Sequence, residues 1–79
     1  MPANQAQIAA AIAAHGAAKV HSAAYAAMGG NRSALSEVGL PTDGSIGHID
    51  AIGRTAFAAM SLVNKSADLA DITIKQAQR

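Results

Sequence analysis

From Ile46 onward the apolar positions fall on helical spacing: Ile49, Gly53, Ala56, Met60, Val63, Ala67, Ala70, Ile74 and Ala77 advance in unbroken steps of four and three. That rhythm places them on one seam of a helix wound at about 3.5 residues per turn. Gly53 and the alanines on this seam predict a close neighbour, because small residues let helix backbones approach. A second seam, Ala51, Thr55, Ala58, Leu62, Leu69 and Ile72, runs along another side of the same segment. One neighbouring helix covers one face, so one seam is expected to pack within the chain and the other against a further chain. Asp50 with Arg54, and Asp71 with Lys75, are acid-first pairs at a spacing of four that support a helix over 46–77 on its polar strip.

The segment 5–28 predicts a first helix by a different route. It is rich in alanine, which loses no side-chain entropy in a helix, and it has no β-branched run. Asn4 with Gln7 three residues on forms a capping-box pattern, and Met28-Gly29-Gly30-Asn31 marks the end. Ile8, Ile12, Gly16, Val20, Ala24 and Met28 climb in steps of four, a line that drifts around the helix, so burial on more than one side is expected. Residues 29–45 hold four of the seven glycines and the second proline and read as a connector. Within it Ser33 is placed to cap a single turn through Leu35 and Val38, closed by Gly39, and Ser45 to cap the next helix. The pattern predicts a single all-α domain over 1–79: an antiparallel helical hairpin, helices 5–28 and 46–77, joined by the connector 29–45.

Composition makes that hairpin a marginal monomer. Hydrophobic residues are 51% of the chain, but alanine supplies about half of them and buries little area. A 79-residue chain is close to the size at which one core fails to offset chain entropy, and with no cysteine neither a disulfide nor a thiolate zinc site adds support. Self-association is the remaining common solution. Net charge is +1 and charged residues are 14% of the chain, so no basic stripe exists to neutralise a nucleic-acid backbone, and two aromatics, Tyr25 and Phe57, make no base-stacking platform. The N-terminus lacks the basic region of a secretory signal, which makes the cytoplasm the expected location. The alanine-rich first segment is too weakly apolar to be expected to cross a membrane, and with so few cations it is a poor interfacial helix.

Chemistry-bearing residues are few. His15 and His21 stand six apart, well over 90° around a helix, so they cannot chelate together from one face, and His48 with Asp50 has the same defect. Ser45 near His48 is better accounted for by capping than as a nucleophile with its base, since two helices offer no shaped cleft. Gly44-Ser45-Ile46-Gly47 lacks the lysine of a phosphate loop. No cofactor, metal or catalytic role is therefore expected. One sharper reading remains for the histidines: His15, His21 and His48 at chain–chain contacts would acquire charge between about pH 5 and 7 and make assembly acid-responsive.

Several of these stretches resemble the R-body structural proteins, short alanine-rich bacterial chains that form coiled ribbons. The resemblance lies in Gln7-Ile8, Lys19-Val20 and Ala27-Met28-Gly29 of the first helix. In the second it lies in Ala58-Ala59, Val63-Asn64, Ile72-Thr73 and Gln76-Ala77. It extends over about two-thirds of the chain and rests on common residue types. The chain departs from it in its long glycine-rich connector and in Asn64-Lys65-Ser66-Ala67-Asp68, where the family carries a glutamine-rich run. The resemblance implies a cytoplasmic, ribbon-forming subunit whose ribbon extends in acid. The sequence thus leads to a structural subunit that associates through Ile49, Gly53, Ala56, Met60, Val63, Ala67, Ala70 and Ile74 on one side and Leu62, Leu69 and Ile72 on the other. The competing readings are a secretion-needle or pilus-like subunit and a small helical protein that binds or inhibits another protein.

Overall fold

A computed structural model describes the backbone of residues 1–77 and the side chains of residues 1–62. Its regular structure is entirely helical among the described residues. The chain enters its first helix through the capping box expected from the sequence: the Gln7 amide donates to Asn4 Oδ1 at 2.9 Å and the Asn4 amide to Gln7 Oε1 at 3.0 Å. This helix, α1, covers Gln5–His15, and α2 covers Ala17–Met28. The single helix expected over 5–28 is therefore two. Gly16 interrupts it with φ 89° and ψ 146°, a conformation that side chains other than hydrogen rarely tolerate. Alanine richness sets a propensity to be helical but does not say that two helical stretches are collinear.

The connector is more structured than its glycines suggest. After Gly29 and Gly30, Arg32–Val38 form a 3₁₀ helix, and Gly39 closes it in the left-handed conformation at φ 74°. The Leu40 amide donates back to the Leu35 carbonyl at 3.0 Å. Leu35, Val38 and Leu40 turn inward and are buried, and Leu35 and Val38 are among the largest fully buried side chains, with Val20 and Ile49. The connector thus supplies a large part of the core instead of only joining helices. Arg32 fixes its far end: Nη1 donates to the Gly44 carbonyl at 2.6 Å and, more weakly, to that of Thr42 at 3.4 Å. Beside this turn the Met1 ammonium pairs with Asp43, and the hydrogen bond it donates holds the Asp43 carboxyl below its ordinary range.

The last helix, α3, covers Ile46–Ala77 and accounts for the molecule's 53 Å long dimension, since 32 residues at about 1.5 Å each give about 48 Å. Ser45 caps it as expected: its Oγ accepts from the His48 amide at 3.3 Å, while the Ser45 amide donates to His48 Nδ1 at 3.2 Å. The result is a capping box in which histidine takes the place usually held by a glutamate or glutamine. Contacts between α2 and α3 pair descending with ascending numbers: His21 lies against Phe57, Ala24 beside Gly53, and Met28 and Gly29 share a groove with Asp50. The two helices therefore run in opposite directions. A Cβ built on Gly53 would stand 3.6 Å from Ala24 Cβ, so the helices approach closely at this point.

Val20, Ala23, Ala24 and Ala27 of α2, the 3₁₀ residues, and Ile49, Ile52 and Ala56 of α3 make one core, to which α1 adds Ile8 and Ala11. No polar or charged side chain is buried among the described residues. The core is thin because so many of its members are alanines, each contributing a single methyl.

Candidate functional site

The buried arc of α3 uses part of the seam read from the sequence and a residue off it. Ile49 and Ala56 are fully buried, Gly53 and Met60 half-buried, and Ile52, which lies on neither seam, is also buried. The area of Ile49 and Ala56 is spent within the chain. Along the second seam Ala51, Ala58 and Leu62 are exposed and Thr55 is half-buried, its hydroxyl donating to the Ala51 carbonyl at 2.8 Å. Leu62 is 67% exposed. The further seam positions Val63, Ala67, Ala70, Ile74, Leu69 and Ile72, and the pair Asp71 and Lys75, lie outside the residues whose side chains are described. The pair Asp50 and Arg54 forms as expected, Nε donating to Oδ2 at 2.8 Å, although two exposed partners at this spacing contribute only a few tenths of a kcal/mol.

A different surface emerges between α2 and α3. His21, Tyr25 and Met28 recur at four and three residues along α2, while Asp50, Gly53 and Phe57 recur at three and four along α3, so each set lies on one flank of its helix. Antiparallel packing brings the flanks side by side. His21, Tyr25, Met28, Gly29, Asp50 and Gly53 line an open groove of about 440 Å³. At one end the His21 ring sits between the chain's two aromatics, 5.5 Å from Tyr25 and 5.9 Å from Phe57 by ring centroids, both tilted. Such tilted contacts are the favoured geometry for aromatic pairs. Tyr25 is 71% and Phe57 59% exposed, and Ile46, one turn before Asp50 on the same flank of α3, is 51% exposed. Counting the two aromatics from the sequence did not reveal this cluster, because its members come from helices whose relative register is fixed only by packing. The usable signal was the common spacing of 21, 25 and 28 with 50, 53 and 57.

The histidines are dispersed. His15 ends α1 in an exposed position, His21 is half-buried in the groove, and His48 is engaged in the α3 cap. Among the described residues no three of the histidine and acidic side chains converge on a point where a metal could sit. Ser45 Oγ lies 2.8 Å from His48 Nδ1, the one contact that resembles a nucleophile and its base. Both groups are exposed, and both serve the helix start. Among the described residues no helix is long and apolar enough to cross a membrane. No family model, curated protein or solved structure matches the chain.

Proposed function

We propose that the protein is a structural subunit that associates with copies of itself and has no catalytic role. The observation that carries this reading is the placement of large exposed apolar side chains on two separate sides of the α2–α3 pair: Tyr25, Met28 and Phe57 along the groove, and Leu62 on the outer row. Phe57 and Leu62 are five residues apart, about 140° around α3, so one flat contact cannot cover both. Apolar surface of this kind marks association sites. Two different patches on one subunit join head to tail, and such contacts grow into rings or open polymers instead of closing as a dimer. Further support comes from the alanine-rich core, which leaves a lone subunit short of buried area. The resemblance to ribbon-forming R-body chains points the same way.

The acid-responsive part of the reading rests on His21, the one histidine in the groove, with Asp50 and its partner Arg54 as the charged groups on the same flank. Charging an imidazole held between two rings that would be covered by a neighbour opposes association. A His21→Gln chain should then assemble equally across about pH 5 to 7.

The test is light scattering with negative-stain microscopy on the wild-type chain and on Phe57→Asp and Leu62→Asp. Each substitution should abolish particles larger than a dimer while circular dichroism retains the wild-type helicity. Particles of unchanged size in both variants, or a wild-type chain that stays monomeric at high concentration, would overturn the proposal.

A further inference from the structure

Residues 5–28 are composed of helix-forming types throughout except at one position, and the chain bends at that position. Both backbone hydrogen bonds at the bend already have the register of an uninterrupted helix: Gly16 N–H donates to the Ile12 carbonyl at 2.9 Å and Val20 N–H to the Gly16 carbonyl at 3.2 Å. Turning Gly16 into the helical region would offer the amides of Ala17, Ala18 and Lys19 the carbonyls of Ala13, Ala14 and His15 as partners. Beyond its two chain neighbours, no atom lies within 4 Å of where a Cβ on Gly16 would stand, so nothing packs on the hinge residue itself. What holds α1 against the body is a short set of contacts, chiefly buried Ile8 and Ala11 with half-buried Ile12, while most of its other side chains are exposed.

We infer that Gly16 is a one-residue hinge through which two copies of the chain exchange α1. The arm straightens into a single helix with α2, and its Ile8–Ala11–Ile12 face docks on the body of a second copy, in the site vacated by that copy's own arm. The occupant follows from the fold: the only segment known to fit that site is α1. Contacts given up in one chain are recovered in the other, which is why a short hinge between a weakly held element and its domain invites exchange. Residues 3–18 contain no Asp, Glu, Lys or Arg, so two arms cross without like-charge repulsion. The inference rests on the self-association reading above and adds to its groove and outer-row contacts a further one, carried by α1.

The experiment compares two alanine enantiomers at this position. Gly16→Ala disfavours the positive φ of the bend and favours a continuous helix. A chain made by chemical synthesis with D-alanine at position 16 favours the bend and disfavours the helix. Gly16→Ala is expected to tighten dimer formation by about tenfold or more and to raise helicity, and the D-alanine chain to weaken it by a similar factor. To identify the contact, a Gly16→Ala chain carrying Ala9→Cys with a spin label is mixed with one carrying Ala58→Cys. Exchange predicts a distance between copies equal to that within one doubly labelled D-alanine chain. A Gly16→Ala dimer with a different distance, a folded monomeric Gly16→Ala chain, or a D-alanine chain that associates as strongly as wild type would each overturn the hinge. In the last case self-association itself stands. A wild-type chain that never associates, beside a Gly16→Ala dimer with the expected distance, retains the hinge and removes the function proposed above.

Discussion

Gly53 offers the sharpest check on the packing of α2 against α3. Its added methyl would stand 3.6 Å from Ala24 Cβ, ordinary van der Waals contact, and it lies in the interior of α3 at a helical position. Gly53→Ala therefore removes the helix penalty of glycine, about 0.8–1.0 kcal/mol, and gains dispersion contact with Ala24 instead of a clash. We expect a stabilisation of about 1 kcal/mol, which for a domain of this size raises Tm by about 4–8 °C. Gly53→Leu should behave oppositely. Ala24 is fully buried, and forcing three further carbons toward it costs about 1–3 kcal/mol by overpacking. Thermal and urea unfolding followed by circular dichroism, at concentrations where the chain is monomeric, gives both values, and an unchanged urea slope confirms that stability alone has moved. If Gly53→Ala destabilised the chain as much as Gly53→Leu, the helices would be closer than described. If both stabilised it, the methyl would point into the open groove and not toward Ala24.

Three other outcomes follow from local contacts. Asn4→Ala removes the Oδ1 that accepts from the Gln7 amide, leaving only the backbone amide's bond to Gln7 Oε1, and should cost about 1 kcal/mol. Amide exchange in the first turn of α1 would then speed up by about fivefold, and unchanged exchange would mean the box contributes nothing. Arg32→Ala releases the Gly44 and Thr42 carbonyls and should lower stability by about 1–2 kcal/mol in urea unfolding. Arg32→Lys should recover only part of this, because a single ammonium does not reproduce the guanidinium geometry. Asp43 is held below its ordinary value by the Met1 ammonium, so its small contribution is present above the ordinary carboxylate range and is lost as pH falls through the lowered value. Acetylating the N-terminus should return its NMR titration midpoint upward, and a midpoint that does not move would show that the pair does not form in solution.

What could be read from the chain was whatever is decided within a few residues. The Asn4 and Ser45 caps, the Gly39 closure of the 3₁₀ turn, the start of the last helix and the Asp50–Arg54 pair each need only side chains three or four positions apart. The four-three spacing in α3 put Ile49 and Ala56 on one face, because helical periodicity survives any tertiary arrangement. It assigned that face to association between chains, whereas both residues are buried within the chain. Ile52 escaped the spacing for the complementary reason: α3 packs against α1 as well as α2, which widens the buried arc beyond a two-helix seam. The bend at Gly16 and the meeting of His21 with Tyr25 and Phe57 were decided by tertiary structure alone. In each case the deciding free energy is shared among residues distant in sequence. Alanine propensity is nearly indifferent to whether α1 continues into α2, so a few apolar contacts made by Ile8 and Ala11 are enough to choose between the straight helix and the bent one.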